Sequence, residues 1–281
     1  MADVKVVTDS SCDLPASIAD ELGIEIVPLK IRFGDDEFVD RRDLSPKQFW
    51  ARCATSPVLP ETAAPSAGAF EEAFRAAKAA GAEGVVCINL SSKRSATYQA
   101  AQMAANALKD ELPVRVIDSL SVTMGLGNIT ISAARLAAAG KSIDDVAGAA
   151  EDLVHRTRVL GTLDTLENLK KGGRIGGAKA MLGSMLSLKP VIWVNDGVVE
   201  EESKQRTRSR ALRYLVDKVA EQATLGIEDL AVMHGDAPDL DEFLDLLDPL
   251  VGRDNIVIGD IGAVIGTHAG PRVIGVAFQV P

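Results

Sequence analysis

The chain predicts an α/β fold in two domains. A mainly parallel α/β/α sandwich comes first, and an α+β domain with a largely antiparallel sheet follows. Three observations carry this. Short, nearly continuous apolar runs alternate with helical patterns over the first half, as a parallel sheet covered on both faces requires. After Arg158 hairpin signals mix with helices, Asn195-Asp196-Gly197 being the strongest. No apolar run approaches the ~20 residues of a membrane span. The expected domains are 1–157 and 158–281, with a boundary error of about a dozen residues.

Val4 to Val7 read as a buried strand ending in the polar turn Thr8-Asp9-Ser10-Ser11. Asp13 has the chemistry of an N-cap, with Pro15 in the first helical turn. Ile24 to Leu29 form a second strand. Ile31 to Phe33 and Glu37 to Val39 make a hairpin across Gly34-Asp35-Asp36. Ser45-Pro46 opens a helix through Ala54. Residues 55–66, with Pro57, Pro60 and Pro65, read as a loop, and Ser66 caps a helix to about Ala80. Strands at Val85 to Leu90 and Val114 to Asp118 alternate with helices at Ser95 to Lys109 and Thr123 to Ala139. Ser142-Ile143-Asp144-Asp145 has capping-box spacing and opens a helix to about His155.

In the second half, Val159 to Leu163 is a strand and Asp164 to Lys171 a short helix. Ala178 to Ser187 reads as a helix. Lys189 to Val194 and Val198 to Ser203 pair as a hairpin. Arg208 to Ala223 is a helix with an apolar stripe at Leu212, Leu215, Val216 and Val219. Leu230 to His234 is a strand, Asp239 to Leu250 a helix, and Ile256 to Ile258 a strand. Ala263 to Thr267 and Val273 to Val280 are expected as the last two strands.

The N-terminus runs directly into a strand pattern without the basic and apolar regions of a secretory signal. The three cysteines, Cys12, Cys53 and Cys87, are odd in number and widely spaced. They suit a reducing cytoplasm. A net charge of −10 opposes nonspecific nucleic-acid binding, which works by neutralising phosphates. Two basic clusters stand against that charge, Lys170 to Arg174 and Lys204 to Arg213. Either they are solvated faces, or they dock an acidic or phosphorylated partner.

The turn Ser91-Ser92-Lys93-Arg94-Ser95-Ala96-Thr97-Tyr98 is the richest in chemistry. It joins a buried strand to a helix start, where free N–H groups and the positive dipole end converge. Its hydroxyls either cap the helix or bind a polar or anionic group. Gly266-Thr267-His268-Ala269-Gly270-Pro271 sets a histidine between glycines, which permit close approach. Thr62, in the proline-rich loop, is either a turn hydroxyl or a further donor. Gly125-Leu126-Gly127 lacks the third glycine of a dinucleotide fingerprint and is read as close helix packing. No phosphate-binding Gly-Lys-Ser/Thr loop occurs, and the three histidines lack metal-ligand spacing, so no cofactor and no metal are expected. A serine hydrolase using Ser95 or Ser92 with His268 stays open, although no Gly-x-Ser-x-Gly elbow is present.

Several segments together resemble the DegV family. Thr8-Asp9-Ser10 resembles its opening motif, Thr62-Ala63-Ala64-Pro65-Ser66 its Thr-Ser-x-Pro-Ser loop, and Ser91 to Tyr98 its Ser-Ser-x-Leu-Ser-Gly-Thr-Tyr turn. Val116 to Ser119 with Gly125-Leu126-Gly127, Leu169 to Ile175 with Leu188-Lys189-Pro190, His234-Gly235-Asp236, and Gly266 to Pro271 complete the set in family order. The resemblance implies a fatty acid held between two domains. It also implies a non-catalytic, cytoplasmic, lipid-binding subunit that presents the acyl carboxylate to a separate ATP-dependent kinase subunit, in phospholipid metabolism. Thr62, Ser95 and His268 would hold the carboxylate, with Ser92 and Thr97 on the same turn. Arg174 and Arg206 would lie toward the partner or the transferred phosphate.

The chain departs from the family pattern at Ala63, Arg94, Ala96 and Arg272. Arg94 either adds a counter-charge or points to solvent. An alkyl tail is worth ~0.8 kcal/mol per buried methylene, so the tail is expected to set affinity and the polar groups orientation. Met181, Met185, Leu186 and Ile192 are candidates for lining it, each also readable as ordinary core. A carrier of another amphiphile, without a kinase partner, is the remaining alternative.

Overall fold

The computed structural model describes residues 3–184 and 188–281. Two sheets with one helix pressed between them organise the chain. Strands β1 (Val4–Asp9), β2 (Glu25–Val27), β6 (Gly84–Asn89) and β7 (Val114–Asp118) form a parallel sheet in the order β2-β1-β6-β7. Every residue of β6 is buried, as a central strand covered on both faces demands. Helices α3 (Ala67–Ala79) and α4 (Thr97–Ala107) cover one face, with Phe70, Phe74, Ala101 and Ala104 against Val7, Val85 and Cys87. Helices α5 (Thr123–Ala138) and α6 (Ile143–Arg156) cover the other.

The second sheet has six strands: β8 (Thr157–Thr162), β9 (Lys189–Asn195), β10 (Val198–Gln205), β11 (Glu228–His234), β12 (Val257–Asp260) and β13 (Ile274–Gln279). Their order is β10-β9-β8-β13-β11-β12, antiparallel except for the β11–β12 pair. Helices α8 (Arg208–Ala223) and α9 (Leu240–Val251) bury their apolar stripes on one face. The other face meets α5, which touches both sheets. Gly125 and Gly127 make this close packing possible. A Cβ on Gly125 would lie 2.3 Å from Val159 Cγ2, and one on Gly127 2.9 Å from the Cys12 carbonyl.

A small sheet, β4-β3-β5, joins β3 (Lys30–Phe33), β4 (Asp36–Val39) and β5 (Glu61–Ala63). The remaining helices are α1 (Ala16–Glu21), α2 (Pro46–Thr55), α7 (Glu167–Lys171) and α10 (Ala263–Ala269). The Asp196-Gly197 turn has positive φ at both residues, 46° and 75°, which matches the right-handed twist of the β9–β10 hairpin.

Four local expectations are corrected. Residues 55–66 are not all loop, because β5 pairs with β3 at its centre, Thr62 opposite Ile31. Ala263 to Thr267 is not a strand but most of α10. Asp13 does not cap α1, whose N-cap is Pro15. It sits in the left-handed region at φ 53°, and its Oδ1 accepts the Gly262 N–H at 2.9 Å, at the start of α10. A carboxylate distant in sequence thus binds the N-cap residue of α10. Finally, residues 176–184 form a 3-10 stretch, and the rest of the helix expected over 178–187 lies outside the described residues.

Candidate functional site

An apolar chamber lies between the six-stranded sheet, α10 and the ends of β6 and α5, with about 900 Å³ of free space including its open mouth. Val159, Leu160, Ile192, Trp193, Val194 and Val199 come from the sheet, and Val264, Ile265 and Ala269 from α10. Gly161 and Gly275 stand opposite each other in the β8–β13 ladder and both line the chamber. Two missing side chains at one register position open the sheet surface.

The polar side chains of the wall include Thr62, Ser95, Thr123 and His268. Thr62 is placed by the pleat of β5, since Glu61 and Ala63 point outward to solvent and Thr62 does not. His268 comes from the last turn of α10, which Gly270 ends at φ 80°. Thr62 Oγ1 and His268 Nε2 lie 3.1 Å apart, joining side chains 206 residues apart in sequence. Asn168 of α7 secures α10 by donating from Nδ2 to the Thr267 carbonyl at 3.2 Å. Burial, and secondly the charge of Arg174, push the His268 pKa down to about 4, so the ring is neutral near pH 7. Its Nδ1 has no hydrogen-bond partner among the described residues and faces Gly172, where a Cβ would lie only 2.3 Å away.

The hydroxyl-rich turn divides its labour. Ser95 lines the chamber, and its Oγ lies 2.8 Å from Thr97 Oγ1. Thr97 is fully buried and supports Ser95 instead of lining the wall. Ser92 is not part of the wall, and its backbone N–H binds Asp118 Oδ1 at 3.0 Å. Ser91 Oγ donates to the Gly197 carbonyl at 3.0 Å, tying the turn to the tip of the β9–β10 hairpin. The α4 N-cap, Ala96, has no side-chain cap, but Ser95 Oγ accepts the first helical N–H, that of Thr97, at 3.3 Å, so Ser95 supports the helix start as well as lining the chamber. Below it, the buried Asp9 carboxylate accepts from Asn89 Nδ2 and the Leu90 N–H, locking the ends of β1 and β6 together. Desolvation raises its pKa against those hydrogen bonds.

Arg94 and Arg174 both line the chamber. Arg94 Nη1 donates to the Arg174 carbonyl at 3.3 Å, and Arg174 Nε donates to the Arg94 carbonyl at 3.2 Å. Arg206 is exposed, between β10 and α8, away from the wall. Of the apolar candidates, Ile192 lines the chamber. Met181 does not, because it is fully buried in the main core. Met185 and Leu186 lie outside the described residues.

Several wall residues escape sequence reading. Trp193, Gly161 and Gly275 read as ordinary strand, although glycine inside an apolar strand is a signal for close approach or an opening. Gly172 lies within the basic cluster Lys170 to Arg174, where nothing in the sequence singles it out, and its task depends on a histidine from α10. Among the described residues no carboxylate lines the chamber, no His/Cys/Asp/Glu group is arranged for a metal, and no helix is long and apolar enough to cross a membrane. The cysteines are free, with Cys12 and Cys87 buried.

Fold and site define an α/β protein that encloses an apolar chamber with polar and cationic groups in its wall. The family model described as an uncharacterised protein of the DegV family matches residues 3–280, and the chain belongs to the DegV family. A DegV domain-containing protein of Streptomyces coelicolor is 36% identical over 279 residues, covering 98% of each chain. A fatty-acid-binding DegV family protein of Thermus thermophilus has the same fold, with a TM-score of 0.90 at 29% identity over 99% of this chain and 100% of that one. A stearic-acid-binding protein of Eubacterium ventriosum gives a TM-score of 0.86 at 26% identity, over 100% of this chain and 98% of its own.

Proposed function

We propose that this chain binds a long-chain fatty acid in the chamber, with its carboxylate at the Thr62, Ser95 and His268 end and its tail along the six-stranded sheet. The observation that carries this is an apolar space whose wall includes hydroxyls, a neutral imidazole and two guanidiniums, with Thr62 and His268 in contact. A carboxylate loses several kcal/mol of hydration when buried alone, and these donors replace that water. A dozen methylenes contribute roughly ten kcal/mol gross, before association and ordering costs. The fatty-acid-binding relatives support the same ligand class.

On this proposal the protein is a cytoplasmic carrier subunit, not itself a catalyst, built from domains 1–157 and 158–281 with the ligand between them. It presents the carboxylate to a separate ATP-dependent kinase subunit for acyl phosphate formation. Arg174 would face the transferred phosphate and the exposed Arg206 the partner. The Ser95 hydrolase is disfavoured by geometry. His268 Nε2 faces Thr62, and its Nδ1 faces Gly172 instead of a carboxylate, whereas a triad needs an acid on the second nitrogen.

Denaturing extraction and mass spectrometry of the purified protein should release about one fatty acid per chain. A clean protein that also refuses added fatty acids contradicts the proposal. Hydroxylamine-trappable acyl phosphate, formed only when the protein, ATP and a co-purifying kinase are combined, tests the partner role. Fatty-acid binding without such a partner leaves the simple carrier.

A further inference from the structure

We propose that Arg94 is a second anchor in the chamber wall, one that selects an ionised head group over a neutral one on the same alkyl chain. This rests on the fatty-acid reading and adds the residue that senses head-group charge.

Position comes first. Arg94 precedes Ser95 on the hydroxyl-rich turn and lines the chamber with Arg174. With His268 neutral, these two carry the only formal charges among the described wall residues. The two cations are also locked side by side. Arg94 Nε donates to the Lys93 carbonyl at 2.9 Å, and Arg174 Nη1 to the Gly172 carbonyl at 2.8 Å. Together with the reciprocal bonds between Arg94 and Arg174, this fixes both guanidiniums through backbone carbonyls. Neither forms an ion pair among the described residues. Glu200, the acid whose charge bears on Arg94, sits over Gly177, where a Cβ would meet its Oε2.

Two adjacent cations without an ion-paired acid repel each other, and partial burial adds to that cost. An anion between them removes the repulsion. Wall hydroxyls and a neutral imidazole can bond to an alcohol as readily as to a carboxylate. Guanidiniums only donate, and charge-assisted bonds to a carboxylate are about twice as strong as neutral ones. Discrimination by charge therefore falls to the arginines, and Arg94 doubles it.

Tetradecanoate and 1-tetradecanol, titrated by calorimetry at pH 7.5 and low salt, separate the effects. Arg94→Leu should weaken tetradecanoate about tenfold, leave tetradecanol within about twofold, and lose most of the salt dependence of the acid. Arg94→Lys should recover part of the acid affinity. Equal weakening of both ligands, or unchanged acid binding, overturns the role of Arg94 and leaves fatty-acid binding intact. Loss of both ligands in Arg94→Leu, recovered for neither by Arg94→Lys, makes the residue a structural support and also overturns it. Failure of the unaltered protein to bind either ligand defeats the fatty-acid reading itself.

Discussion

Gly172→Ala should weaken fatty-acid binding without unfolding the protein. Gly172 has φ −75° and ends α7, so alanine fits its backbone. In helical conformation alanine is favoured over glycine by about 1 kcal/mol. The side chain is the difficulty. Its Cβ would lie 2.3 Å from His268 Nδ1, 2.8 Å from Cε1 and 3.2 Å from the Asn168 carbonyl. Ordinary contact begins near 3.4 Å, so the ring must retreat by about 1 Å. A shift of that size disturbs the Thr62–His268 contact, 3.1 Å long, and the imidazole's place at the carboxylate with it. A hydrogen bond to a charged group is worth about 1.5–3 kcal/mol, so tetradecanoate affinity should fall roughly tenfold to a hundredfold. Calorimetry measures it, with Tm as the control for folding. Unchanged affinity, with the Tm unchanged, would refute the placement of His268 against the ligand.

Three further outcomes follow from the same geometry. Gly161→Leu projects a side chain from β8 on the chamber side, with the Val159 parity. It should displace several methylenes, weakening stearate by about 2–3 kcal/mol and a C12 acid far less, as a chain-length series reads. His268, with a pKa of about 4 against the ordinary 6.5, takes up its proton more readily in the unfolded chain. The His268 contribution to stability therefore falls as pH drops from about 6.5 toward 4, by at most ~1.4 kcal/mol per pH unit, while Asp13, raised by burial to about 6, acts in the opposite sense. His268→Gln should remove that slope in denaturant titrations of ligand-free protein; a slope equal to the unaltered protein's contradicts it. Gly197→Ala forces alanine to φ 75° and brings its Cβ 2.3 Å from Ser91 Oγ. It should cost about 1–3 kcal/mol, seen as a Tm several degrees lower; an unchanged Tm contradicts it.

Fold class was legible because the apolar runs at Val4 to Val7, Val85 to Leu90 and Val114 to Asp118 have the length and continuity of buried parallel strands. Asp196-Gly197 announced its hairpin through turn chemistry alone. The misreadings share one cause, which is tertiary partnership. Val264 and Ile265 favour a strand locally, yet they lie in α10, whose N-cap Gly262 is bound by the distant Asp13. Glu61 to Ala63, between prolines, becomes a strand only because β3 offers an edge. Asp13 itself has an N-cap's chemistry and uses it on a distant helix.

The site was legible where a motif supplied several polar residues together, as in the Ser91 to Tyr98 turn. It was not legible where one residue acts through a gap. Gly172 matters for the side chain it lacks, opposite His268. Gly161 and Gly275 matter because they face each other across a ladder. Ser92 and Thr97, drawn into the site by proximity in sequence, stand behind the wall, holding the turn and Ser95 in place.

The central claim is that a carboxylate rests at the Thr62, Ser95 and His268 end of the chamber. Carbon-13 NMR of carboxyl-labelled tetradecanoate bound to the protein tests it most directly. The account predicts one bound resonance, displaced from that of free ligand, which moves on Thr62→Val, on Ser95→Ala and on His268→Gln while the tail stays bound. A bound carboxyl resonance at the free-ligand position, indifferent to all three substitutions, would contradict it.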